Sequence, residues 1–276
     1  MLALKIVVGV LALAVVVMAL WRASDVMTAS TAWARLAGMA ARDRGVFDPA
    51  MVAGLPEPAE RYFRAAIAPG TPLYRVAVID MEGQLGLGSR DAPGYRPMRA
   101  RQILAPPHGL VWRLGSGLIT GSDGALPDTS WTRFWLAHLI PVARAGGGED
   151  HRISAAGRVA VEALVWVPTA VLLDEGVRFE AIDDSRVRVI FGEGPSVQVV
   201  ELTVDGEGRA TEVVLDRWTD ANADKVFRRQ PFGGTLADYR TFDGVTVPTT
   251  AEIGNLFGTE EFFPFFRSKI TEIEFR

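Results

Sequence analysis

Arg158 and Glu162 stand four residues apart, with Trp166 one further turn along, and no other charged pair sits in so apolar a setting. On a helix this spacing puts the three side chains on one face. Ser154 can cap a helix running from Ala155 to about Val167, and Pro168 marks its end or a kink. Between 155 and 167 nearly every other side chain is apolar, as expected of a buried helix. Two readings of the pair stay open. It is a polar spot that positions a ligand head group or moves a proton, or an internal ion pair that fixes how the helix docks. A second cluster, Phe262, Phe263, Phe265 and Phe266 with Phe257 nearby, surrounds Glu260, Glu261 and Pro264. Such a segment can face a membrane or gate a cavity, or it can simply pack as core where the last strand enters.

Other chemistries have weaker support. Cysteine is absent, which excludes thiolate catalysis and cysteine-ligated metal. The three histidines, His108, His138 and His151, show no ligand spacing, so neither a metal nor a cofactor is expected. Glu149-Asp150-His151 follows three glycines and reads as a solvated turn. Gly115-Ser116-Gly117 lacks the frame and the strand-to-helix setting of a hydrolase serine. The glycines of Gly83 to Gly88 open no helix, which argues against a dinucleotide site. Asp183 and Asp184 fall in a turn, and adjacency in sequence does not make a glycosidase pair. Net charge is −4, and the arginines are scattered with no basic stripe, so nucleic acid is not an expected partner.

The elements that would position these residues begin with an unbroken apolar run from Ile6 to Trp21, flanked by Lys5 and Arg22. With Met1 to Leu4 it approaches the length needed for a hydrocarbon core of about 30 Å. It ends in Trp21-Arg22, an interfacial pattern, instead of a small-x-small cleavage site, and so reads as an uncleaved signal anchor. A four-residue tail before the span is easily kept inside, which places the body of the chain outside the cytoplasm. Residues 25 to 44 read as a helix with Val26, Trp33, Leu36, Ala37 and Ala40 as its stripe and Arg35, Arg42, Asp43 and Arg44 polar. A second helix starts at Leu55-Pro56-Glu57-Pro58 and stops at Pro69-Gly70. From Leu73 onward apolar and polar residues alternate in short runs, with Gly121-Ser122-Asp123-Gly124, Asp183-Asp184-Ser185, Asp205 to Gly208 and Asp243-Gly244 as turns.

One ordered series carries a resemblance: Ile140-Pro141-Val142-Ala143-Arg144-Ala145, Ser154 to Glu162, Trp166-Val167-Pro168-Thr169-Ala170 and Gly176 to Ala181. Asp238-Tyr239-Arg240, Gly244 to Pro248 and Phe263-Pro264 follow in order. Over roughly 100 to 276 the chain resembles a bacterial family of membrane-anchored proteins of unassigned function, with Phe179 where that family's pattern has tryptophan. The family supplies no catalytic residues. Its pattern of strands around a buried helix is similar to the lipoprotein-carrier architecture, an open half-barrel with an apolar concave face.

The expected fold class is therefore α+β. Residues 1–22 form a transmembrane signal anchor, 23–70 a helical stalk, and 71–276 a strongly curved antiparallel sheet of roughly nine to eleven strands. The sheet surrounds a helical insert at about 152–173. The expected function is that of a tethered extracytoplasmic binding protein holding a lipid or other apolar small molecule, with a membrane protein as a possible partner. The alternatives are an extracytoplasmic enzyme using buried carboxylates and a membrane-associated scaffold.

Overall fold

In the computed structural model, which describes residues 1–40 and 45–276, the chain forms one long helix and a single sheet of thirteen antiparallel strands. Helix α1 runs unbroken over Leu2–Ala37, so the apolar run and the following helix are one element. Arg42, Asp43 and Arg44, read as part of that helix, lie outside the described residues. A 3-10 turn at Pro49–Val52 and helix α2, Glu57–Ala66, follow.

Six strands then form a meander: β1 Ala77–Gly86, β2 Tyr95–Ala105, β3 Gly109–Ser116, β4 Ile119–Ala125, β5 Ser130–Leu136 and β6 Ile140–Gly146. Helices α3, Glu149–Trp166, and α4, Pro168–Leu172, cross to the second meander. That meander is β7 Val177–Ala181, β8 Arg186–Phe191, β9 Gln198–Val204, β10 Ala210–Thr219, β11 Arg228–Phe242, β12 Val245–Asn255 and β13 Phe263–Phe275. The two halves join where β1 pairs with β13, leaving β6 and β7 as unpaired edges of an unclosed sheet. Helix α3 touches β2 to β6 in one meander and β9, β10 and β12 in the other, which requires the sheet to curve around it. The expected half-barrel around a buried helix is present, with more strands than expected.

Three of the uncounted strands are β4 to β6. Gly121-Ser122-Asp123-Gly124, read as a turn, lies inside β4. Its glycines answer a packing need, since a Cβ at Gly124 would sit 2.3 Å from the Trp131 ring on β5. Helix α3 also begins earlier than expected, capped at Gly148, so Ser154 lies within it. Asp243-Gly244 forms the predicted tight hairpin, with positive φ at both residues and Phe242 paired to Val245.

Alternation along the strands separates two cores. Ala77, Ile79 and Met81 face the concave side with α2 and α3, whereas Val76 and Val78 face the convex side with α1. The segment read as a stalk is therefore packed on both faces of the sheet. Ala29, Ala32 and Leu36 of α1 bury against Val76, Val78, Ile103 and Val111 on the convex side. Helix α2 inserts Tyr62 and Phe63 into the concave core, and the Tyr62 hydroxyl donates to the Leu164 carbonyl. Ile67 bridges to Val245 beside the β11–β12 turn, so α2 covers the concave space at that end.

The docked face of α1 includes Leu36 of the expected stripe with Trp33, Ala37 and Ala40 packed beside it, extends to Asp25, Ala29 and Ala32, and leaves Val26 exposed. Asp25 is the anchor point. Its carboxylate accepts from Arg144 at 2.6 and 3.1 Å and from the Trp135 indole at 3.0 Å, and it pairs with Arg133 at 3.0 Å. Trp21 meets Trp135 edge-on, and the Arg144 guanidinium lies 4.4 Å over the Trp21 ring.

Candidate functional site

Between α3 and the concave face lies a cavity of about 410 Å³. That volume falls within the roughly 300–1,000 Å³ of small-molecule sites. Strand alternation makes its walls: inward positions Trp112 and Leu114 of β3, Phe134 of β5, Phe232 of β11 and Ile253 of β12 are all apolar. Val161 and Val165 of α3 face them, and the exposed Leu87 and Val142, with the half-buried Leu85 and Ile119 beside them, mark its mouth.

At the floor the apolar lining gives way to a connected polar group. Gln102, wholly buried on β2, donates its amide to Glu162 and accepts from Arg158 at 3.0 Å. Arg158 Nε donates to the other Glu162 oxygen at 2.5 Å, and its Nη1 donates to Asp123 of β4 at 3.2 Å. The Trp112 ring lies 5.2 Å from the Arg158 guanidinium carbon. Burial works against the Arg158 cation, but Glu162 and Asp123 outweigh it and hold its proton more tightly than usual. Burial also raises the Asp123 carboxyl above its ordinary range, although Arg158 pulls the other way. Arg217 of β10 completes the group. Burial, and then the neighbouring Arg158 charge, lower its pKa to about 10. Its Nε donates to the Ser154 carbonyl at 3.3 Å, and its guanidinium lies 4.5 Å over Phe232. Among the described residues no carboxylate reaches it within ion-pair distance.

All three residues singled out from the sequence, Arg158, Glu162 and Trp166, line this cavity. Trp166 donates to the Pro248 carbonyl at 3.3 Å and is held as wall. The phenylalanine cluster divides. Phe265 and Phe266 line the cavity, while Phe263 packs on Tyr95 and Phe262 on Phe257 in the β12–β13 loop. Gln102, Trp112, Asp123 and Arg217 were not singled out. Two of them left a signal: Gln102 follows Met98 and Ala100 at inward positions, and Arg217 follows Val213 and Leu215. A polar side chain in such a series points into the core and requires a partner there. Asp123 was hidden by its turn-like neighbours.

What the site can do follows from this arrangement. Both oxygens of Glu162 are engaged, so the Arg158–Glu162–Gln102 unit ties helix to sheet. The Trp112 indole N–H, by contrast, is buried without a hydrogen-bond partner among the described residues. With the Arg217 guanidinium it leaves donor capacity at the floor of an apolar space. No group of three or more His, Asp or Glu suited to a metal occurs among the described residues.

Two solved structures are similar in outline. A LolA superfamily protein from Nitrosomonas europaea aligns with 79% of this chain and 92% of its own, at 9% identity and a TM-score of 0.43. A structure described as an outer membrane lipoprotein-sorting protein domain from Vibrio parahaemolyticus aligns with 73% of this chain and 85% of its own, at 13% identity and a TM-score of 0.39. The comparison with curated proteins gives no match. A family model matches residues 45–268, which takes in α2, α3 and every strand up to the first part of β13, and the chain belongs to that family, the family of unknown function DUF6544.

Proposed function

We propose that the chain is a membrane-tethered binding protein, its body on the extracytoplasmic side, that holds a lipid or another apolar ligand within the curved sheet. The observation that carries this reading is the cavity itself: apolar walls of ligand-sized volume above a floor with unused donors. An amphiphile matches that chemistry, with hydrocarbon against Leu114, Phe134 and Ile253 and a polar end near Trp112 and Arg217. Support for the tether comes from α1, whose apolar window has nothing from the rest of the chain packed on it and is long enough to cross a bilayer.

Titration of the full chain in detergent with a dansyl-labelled fatty acid tests the reading. A saturable rise in emission, displaced by unlabelled phospholipid, is the expected result. Ala251→Trp places an indole in the cavity from β12 and is expected to abolish the saturable component while leaving the circular dichroism unchanged. Equal emission from both proteins would assign the signal to micelles or to α1 and sink the proposal.

A further inference from the structure

The point where α1 leaves the sheet and the mouth of the cavity lie at the same end of the strands. Arg22 donates to Thr120 at 3.2 Å and meets His138 Nδ1 at 2.8 Å, at the start of β4 and in the β5–β6 turn. Trp21 packs on Trp135 near the end of β5. Below this level α1 runs along the sheet to Leu36, and above it the helix has left the body. Leu85, Leu87, Ile119 and Val142, toward the cavity mouth, sit at that same end by strand register. The opposite end carries α2 and the β11–β12 turn.

Exposed apolar side chains gather there too. Among the described residues that follow α1, four of the seven exposed large apolar side chains, Leu87, Leu118, Ile140 and Val142, fall on the β1–β2 loop, the β3–β4 turn and the start of β6. Each would be costly in water without a partner. Helix rise places roughly 30 Å of apolar helix beyond Arg22, the thickness of a hydrocarbon core. A bilayer holding that segment therefore has its interface at the level of Trp21, Arg22 and these turns. Charges at this end are mixed: Arg90 pairs with Asp91 and donates to the Glu260 carbonyl, and Arg96 and Glu261 lie in the same two chain segments. The apolar tips, and no basic patch, would make the contact.

We propose that this end of the sheet rests on the bilayer that anchors α1, so that the cavity opens directly onto the leaflet and a lipid passes between the two without crossing water. The inference rests on the tether reading and deepens it, by fixing the source of the ligand and the path it takes. The Asp25 cluster on α1 would hold the geometry, because it fixes the helix to β5 and β6 just below the exit point.

The chain has no cysteine, so single-cysteine variants report without background. Leu118→Cys and Ile140→Cys place a polarity-sensitive fluorophore at the mouth end, and Met51→Cys places it on the 3-10 turn beside α2 at the far end. The labelled full chain is reconstituted into vesicles of phosphatidylcholine with phosphatidylglycerol carrying a headgroup-level quencher, and flotation is measured on the same samples. Co-flotation, with labels at 118 and 140 quenched several-fold more than at 51, is the expected result. Co-flotation with equal quenching at all three positions overturns the seating while leaving the tether intact. A chain that does not float overturns the tether and the seating with it.

Discussion

Arg158 shows how a charge is kept inside an apolar wall. It is satisfied on three sides, by Glu162, Asp123 and Gln102, and stacked beside Trp112. Removing one member of such a group leaves the others buried and unpaired, so Glu162→Ala should cost about 3–5 kcal/mol of stability in urea denaturation. The paired replacement Arg158→Met with Glu162→Leu should cost less, because both charges of the pair go together and the Asp123 carboxyl left behind can take the neutral form that burial already favours. A double variant as unstable as the single one would mean that the charges matter beyond their mutual satisfaction. His151 gives a pH signature. Its Nδ1 lies 2.7 Å from Ser130 Oγ, and burial lowers its pKa against the opposing pull of Asp123. The unfolded chain then binds a proton first as pH falls through the ordinary histidine range, near about 6.5, so this residue withdraws stability in acid and restores it above that range. His151→Gln should therefore flatten the drop in melting temperature between about pH 7.5 and about pH 5.5. An unchanged slope would place the acid sensitivity elsewhere.

At the scale of elements, α1 changes character along one continuous helix. Its first part is apolar all round, and its last part buries only Asp25, Ala29, Ala32 and Leu36. Asp25 faces two arginines and an indole, so Asp25→Ala should loosen the docked part selectively. Amide hydrogen exchange over residues 26–37 should speed up by tenfold or more, corresponding to about 1.4 kcal/mol or more of lost local protection, while the β1–β13 pairing keeps its rates. Uniform acceleration across the chain would instead indicate global destabilisation. Much of this level was legible from residue order: the Asp243-Gly244 hairpin, the apolar helix across the concave face, and the alternating strands from Val177 onward. The docking of α1 was not, because its buried stripe includes an aspartate whose partners, Arg133 and Arg144, are more than a hundred residues away. β4 was hidden for a different reason. Its glycines make room for the Trp131 and Phe134 rings, a demand set by the neighbouring strand and invisible in local composition. Arg158, Glu162 and Trp166 were recoverable because helical spacing is local, whereas Gln102, Asp123 and Arg217 reach the same floor from three separate strands.

For the molecule as a whole, two meanders joined through β1 and β13 form a curved sheet, and the crossover between its unpaired edges supplies the helix that fills most of the concave side. What α2 and α3 leave unfilled is the cavity, covered at one end and open toward the level where α1 departs. On the proposed reading, the polar floor, the apolar walls and the apolar tips near the mouth would serve one function, the holding of an amphiphile drawn from the adjacent leaflet. Native mass spectrometry of the full chain released from detergent, beside Ala251→Trp, tests this claim most directly. The account predicts that the wild-type chain carries one adduct of lipid mass that survives removal of the micelle, and that the cavity-filled variant flies without it. A wild-type chain that is bare, or the same adduct on both proteins, would contradict it.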